Sequence, residues 1–234
     1  MMTSAATDDG SGLVYGQPGI RFEEDGHRYH LTIEGRGEER WPSVTQALEV
    51  AGLVDDYAGI PAPVLYRAGR RGTAIHKAVP LLLDGTLDWS TVDERIVGHV
   101  EQLALALEEI GVRAWNCETP VYSSRLRVAG TPDIWCAAHC RPTVIDAKSG
   151  AKSVLAVDAA RLQTALYALM IREALAAAGK EPPPHIERIA LWLRPDGFEP
   201  QRFSRHLQDE LDAEAAVRVA WRRAAQRTKG VWTG

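Results

Sequence analysis

The chain has 234 residues, a formal net charge of -4 and an apolar fraction of 45%, a composition that suits one sizeable domain able to bury a core of its own. The negative balance excludes a global electrostatic pull toward nucleic acid, so binding of DNA or RNA has to rest on local patches. Three cysteines, Cys117, Cys136 and Cys140, make a poor disulfide framework and suit a reducing cytoplasm, and no apolar run of about 18 or more residues marks a membrane span.

Residues 1–18 read as a disordered tail. The stretch 1–12 is small, polar and mildly acidic, with neither a basic n-region nor an apolar h-region, which argues against secretion. Residues 19–234 read as a single domain. Residues 20–33 alternate around Asp25-Gly26, a hairpin signal that predicts two opening strands. Ser43 stands as an N-cap before Val44, Leu48 and Ala51, which share one helix face up to Gly52. Pro63 opens a second helix that carries Leu65, Gly72, Ile75, His76 and a basic cluster, Arg67, Arg70, Arg71 and Lys77; Pro80 is expected to kink or break it before Asp84-Gly85.

Thr91-Val92-Asp93-Glu94 has the form of a capping box, and Ile96, Val97, Val100, Leu103, Leu107 and Ile110 continue at helical spacing to Gly111. Three strand-like runs follow, 112–121, 127–138 and 142–147, as in an antiparallel meander. Residues 157–178 return to a helical pattern, stopped by Gly179 and Pro182-Pro183-Pro184. The runs 186–193 and 198–203 pair across Asp196-Gly197, and a last helix over about 207–227 carries a second basic cluster with Arg218, Arg222, Arg223 and Arg227, and Lys229 just beyond. Taken alone, each basic cluster reads as a solvated helix face. The whole predicts an α/β fold: a central mixed β-sheet flanked by helices, with an N-terminal β-hairpin.

The chemistry concentrates in 130–167. Asp146 and Lys148 are two apart in a predicted strand, so both side chains leave one face, and a hairpin would bring Asp133 beside Asp146. A hard divalent cation takes oxygen ligands: Asp133 and Asp146 supply two, and the backbone carbonyl of Ala147 offers a third. A cation so held acidifies water and neutralises charge on a phosphate oxygen, and Lys148 would orient or help deprotonate that water. A lone Asp-x-Lys triplet arises by chance about once in such a chain; the conjunction of Pro132-Asp133, Asp146-Ala147-Lys148 and a following helix with Gln163 and Tyr167 on one face is more specific.

In these residues the chain resembles the PD-(D/E)XK nuclease superfamily, in particular its RecB-like and phage-type exonucleases. Gly72-Thr73-Ala74-Ile75-His76 is similar to that group's helical motif, Pro132-Asp133 and Asp146-Ala147-Lys148 to its second and third motifs, and Gln163 with Tyr167 to its Q-x-x-x-Y motif; Ser43-Val44-Thr45 is similar to the N-terminal region of phage members. The resemblance covers about residues 20–167. It implies a restriction-endonuclease-like core, magnesium or manganese as cofactor, DNA as substrate, and exonuclease action in recombination, repair or replication in the cytoplasm of a bacterium or a phage-infected host. His76 would join the metal site, with Glu118 as an auxiliary acid. Gln163 and Tyr167 would contact DNA or support the site, and Arg67, Arg70, Arg71 and Lys77 would meet phosphates.

Other readings stand beside it. The chain could be a DNA-binding or recombination accessory module that keeps the fold without catalysis, or a structure-selective endonuclease, and a homo-oligomer or a recombination partner protein fits either. An iron-sulfur or zinc site built on Cys117, Cys136, His139 and Cys140 is disfavoured, because three cysteines with C-x-x-x-C inside a hairpin do not have a knuckle spacing.

Overall fold

A computed structural model of the chain describes residues 17–23, 28–54 and 59–226, leaving aside the side chains of Ala114 and Trp115. The tail expected over 1–18 lies outside the described residues as far as 16; the Gln17 side-chain oxygen accepts a hydrogen bond from the backbone N–H of Tyr122. The expected opening strands are β1 (Ile20–Glu23) and β2 (Arg28–Ile33), antiparallel with Ile20 opposite Leu31. Their turn at Asp25-Gly26 lies outside the described residues. A third strand, β3 (Gly37–Trp41), adds to β2. Its sequence GEERW has no alternation to announce a strand; what holds it is the backbone ladder and the burial of Trp41 with Tyr29, Leu31 and Ala129.

Helix α1 (Val44–Ala51) starts as expected at Ser43, whose hydroxyl accepts from the Gln46 N–H while the Gln46 side chain accepts from the Ser43 N–H, and it ends on Gly52 in a left-handed conformation at φ 77°. Helix α2 (Ala62–Leu83) has Pro63 in its first turn. The break expected at Pro80 does not occur: the helix runs through it to Leu83. Pro80 lies in the last turn, so its missing N–H leaves only the His76 carbonyl without its helical partner.

The expected start of α3 is also corrected. Thr91 caps no helix: its hydroxyl donates to the Asp88 carbonyl within a 3₁₀ turn, Trp89–Thr91, capped by Asp88. Asp93 accepts from the backbone N–H and guanidinium of Arg95, which holds the next residues in a turn. Helix α3 (Val97–Ile110) begins beyond it and ends on Gly111.

The runs expected as single strands over 112–121 and 127–138 are each divided. Strand β4 (Val112–Cys117) stops at Glu118, whose φ is 50°; β5 (Val121–Ser123) and β6 (Val128–Gly130) pair as a separate ribbon; β7 (Ile134–Ala138) then returns beside β4. A two-residue turn, His139-Cys140, with φ of 47° and 64°, leads into β8 (Arg141–Lys148). Helix α4 (Val154–Ala177), capped by Ser153, carries the chain to β9 (Glu187–Arg194), then β10 (Gly197–Phe203) and α5 (His206–Gln226) follow.

The main sheet has the order β10-β9-β8-β7-β4, and only β8 and β9 run parallel. That pair needs a long crossover, and α4 provides it. The protein is therefore α/β with a mixed sheet and helices on both faces, as the pattern predicts. Ile145 and Ala147 enter the core shared with α2 and α3, while Val144 belongs to the core shared with α1, α4 and α5. By the two-residue period of a strand, Asp146 and Lys148 leave β8 on the α4 side.

Helix α4 is long and apolar enough, by length and composition, to cross a membrane, and 56% of its most apolar window is buried within the fold. A buried ion pair ties it to its neighbours. Asp209 of α5 accepts from Arg188 of β9 and, at 2.7 Å, from Arg161 of α4; Arg188 and Asp209 are both almost wholly buried.

Candidate metal centre

Five elements, α4 with Gln163 among them, deliver the expected residues to one cleft of about 730 Å³, lined by His76, Glu118, Asp133, Asp146, Lys148 and Gln163 among others. His76 comes from α2, Glu118 from the end of β4, Asp133 from the approach to β7, Asp146 and Lys148 from β8. Asp133 is the hub. Its Oδ1 lies 2.8 Å from His76 Nδ1, and its Oδ2 accepts the Ala147 backbone N–H at 2.7 Å, so the carboxylate is fixed on both oxygens. A strand residue turns its N–H and C=O toward the same neighbour. The Ala147 carbonyl therefore leaves β8 on the Asp133 side, where the third oxygen was expected.

Glu118 stands closer to the centre than an auxiliary role suggests. Its Oε1 is 4.0 Å from His76 Nδ1, and donor atoms of His76, Glu118 and Asp133 all lie within 4.8 Å of one another. Asp146 falls outside that trio and is nearly buried. Its Oδ2 faces Lys148 Nζ at 2.6 Å, so the buried carboxylate is paired with the ammonium on that side. A buried carboxylate with other acids beside it suits a cation. The residues present thus fit a hard divalent metal: three carboxylates and one imidazole converge, with a carbonyl beside them.

The electrostatics follow from that crowding. Burial alone would lower the His76 pKa, but the charge and hydrogen bond of Asp133, with Asp146 and Glu118 behind, raise it from 6.5 to about 9. Burial and the Asp133 charge push Glu118 up to about 7, against the pull of His76. Burial also raises Asp146, with Lys148 opposing and Asp133 adding to the shift. Negative charge is in surplus here, and a cation would relieve it.

Lys148 is held at both sides. Its Nζ donates to Gln163 Oε1 at 2.9 Å, and Gln163 Nε2 donates to the Tyr167 hydroxyl at 2.9 Å. The two helix residues therefore meet the site through Lys148. Burial raises Tyr167 well above its ordinary value, so it stays a neutral phenol. The basic cluster of α2 divides. Lys77 lines the cleft, Arg71 donates to the Ser149 carbonyl at 2.9 Å and ties α2 to the end of β8, and Arg67 and Arg70 are exposed outside the lining. The cysteines sit in unlike surroundings, with Cys136 buried, Cys117 half-buried and Cys140 exposed on the turn; burial pushes Cys117 and Cys136 up to about 12.

Three contributors escaped the pattern of motifs. Phe22 and Tyr29 bring the N-terminal sheet to the cleft, and the Tyr29 hydroxyl hydrogen-bonds Thr131 at 2.8 Å. Only the hairpin they sit on was legible. Gly130 permits a close approach: a Cβ there would lie 2.7 Å from the Tyr167 ring and 3.0 Å from Val44. Its place just before Pro132-Asp133 was the available signal. No protein-family model matches the chain, and no curated protein matches it.

Proposed function

We propose that the protein is a divalent-metal-dependent deoxyribonuclease on a restriction-endonuclease-like core, acting as an exonuclease in DNA recombination, repair or replication in the cytoplasm of a bacterium or phage-infected host. The observation that carries this reading is the convergence of Asp133, Asp146 and Lys148 with His76 in one cleft, the buried Asp146 carboxylate paired with the ammonium of Lys148. The mixed sheet, with Asp133 just before β7, Asp146 near the end of β8 and the crossover helix packed on β8 and β9, supports the finer fold.

Asp133, Asp146, His76, Glu118 and the Ala147 carbonyl would hold magnesium or manganese. Bound there, such an ion supplies charge neutralisation on a phosphate oxygen and acidification of water. The chain's own residues do the rest. Asp133 locks β8 to α2 through Ala147 and His76 and so sets the spacing of the donors. Gln163, held by Tyr167, takes one of the three Lys148 N–H donors and Asp146 faces the ammonium on the other side, which sets it in the cleft where it can orient water and offset charge on the scissile group. Lys77 adds a positive charge at the rim for a flanking phosphate. The complete acid and lysine set favours catalysis over an accessory module that merely keeps the fold.

The test is digestion of linear and circular, single- and double-stranded DNA with magnesium or manganese. Degradation confined to linear DNA is the expected result. Cutting of closed circles would replace the exonuclease with an endonuclease, and inertness on every substrate would sink the catalytic reading.

A further inference from the structure

Away from the metal centre, the turn between β5 and β6 meets α5 along an open cleft of about 730 Å³ lined by Arg125, Leu126, Arg127, Arg218, Trp221 and Arg222. Four of the six lining residues are arginines and none is acidic, in a chain whose net charge is -4. All four side chains are exposed, and three of them are braced: Arg125 pairs with Glu214 and Glu173, Arg218 with Glu214, and Arg127 with Glu39. Those carboxylates do not line the cleft.

The platform between them is built. The Trp221 indole N–H donates to the Leu126 carbonyl at 3.0 Å, and the Arg127 guanidinium lies 4.8 Å over the indole ring. Arg127 takes a left-handed backbone at φ 53°, where a glycine or asparagine is at less cost, yet the position carries an arginine. Arg222 has no partner among the described residues. A planar fork of donors held in advance by carboxylates is the arrangement that meets phosphate oxygens with little further loss of side-chain freedom.

We infer that this cleft is a second nucleic-acid contact, in which Arg125, Arg127, Arg218 and Arg222 take the phosphates of a DNA strand outside the metal centre. Strand β6 links the two: Arg127 precedes it, and Gly130 at its end lines the metal cleft, about 10 Å along the chain. The inference rests on the nuclease reading for the identity of the strand. It sharpens that reading by giving long DNA a hold that a short substrate lacks.

The experiment uses the full chain carrying Arg218→Ala with Arg222→Ala, positions whose loss touches no core contact, and a second variant with Arg222→Glu alone. Binding of a labelled 30-nucleotide single strand is followed by anisotropy against salt, and hydrolysis of bis(p-nitrophenyl) phosphate with manganese is measured in parallel. The double variant should bind about tenfold more weakly at 0.1 M salt, with the slope of log K against log salt reduced by about 1.4, while hydrolysis of the small diester is unchanged. If wild type and both variants share one affinity and one slope, the second contact is refuted while the nuclease stands. Retention of a polyglutamate peptide in place of DNA would also refute it. Wild type that neither binds DNA nor hydrolyses the diester would refute both.

Discussion

Lys148 donates to Gln163 at 2.9 Å across the gap between β8 and α4, and that bond ties the ammonium to the helix that lines the cleft. Among the described residues Gln163 bonds Lys148 and Tyr167 and none of the acidic groups, so its effect on the metal side passes through the ammonium. Gln163→Ala should therefore lower kcat by about 10- to 100-fold with little change in KM or manganese affinity. Gln163→Glu, which can still accept from Lys148, should recover part of the loss. Equal activity of wild type and Gln163→Ala would remove the positioning role.

The acidic crowding predicts a stability that falls as pH rises in metal-free protein. His76, raised from 6.5 to about 9, contributes stability that is complete below pH 6.5 and lost as pH climbs through about 9. Glu118, raised from 4.5 to about 7, contributes stability present below 4.5 and lost through about 7, which is the same direction. Calorimetry without metal should show Tm dropping between pH 6 and 9, more steeply in wild type than in His76→Ala. Manganese should raise Tm more at pH 8.5 than at pH 6, because its ligands must give up protons to bind. A Tm gain from manganese that is larger at pH 6 would contradict this electrostatic account.

Two glycines make opposite predictions. Gly130→Ala forces a methyl to within 2.7 Å of the Tyr167 ring and should cost about 1–3 kcal/mol, with activity falling as the Tyr167–Gln163 pair shifts. Gly72→Ala meets nothing closer than the Ser149 hydroxyl at 3.8 Å and lies within a helix, so it should gain up to about 1 kcal/mol. Urea unfolding of both variants checks the pair.

The Arg188–Asp209 pair holds β9 to α5 in the interior. Arg188→Met leaves Asp209 with Arg161 alone and should destabilise by about 3–5 kcal/mol; adding Asp209→Leu should restore a large part of that, because no unpaired charge then remains buried. Denaturant midpoints of the single and double variants separate the two effects.

How legible all this was in the sequence differs by feature. Asp133, Asp146 and Lys148 were readable because strand period and a hairpin's length decide which side chains share a face, and the structure puts them in one cleft. The Lys148–Gln163 bond was not, since a four-residue spacing on a helix says nothing about which strand the helix covers. The place of Glu118 beside His76 was not legible for a similar reason. Its run reads as one continuous strand, whereas a left-handed φ at Glu118 ends β4 and leaves the carboxylate beside His76. The start of α3 failed because Thr91 and Asp93 spend their hydrogen bonds on a 3₁₀ turn and on Arg95, a local competition that the capping-box spacing cannot reveal. Strand β3 lacked any apolar pattern and exists by pairing with β2.

We propose that Lys148 acts on the reacting phosphodiester beside a metal that the acidic residues would hold. The most direct measurement is single-turnover cleavage of a labelled linear DNA by wild type and Lys148→Ala, with manganese affinity determined on the same samples. Lys148→Ala should lose about 100-fold or more in cleavage rate with manganese affinity no weaker than in wild type. Cleavage by Lys148→Ala at the wild-type rate would contradict it.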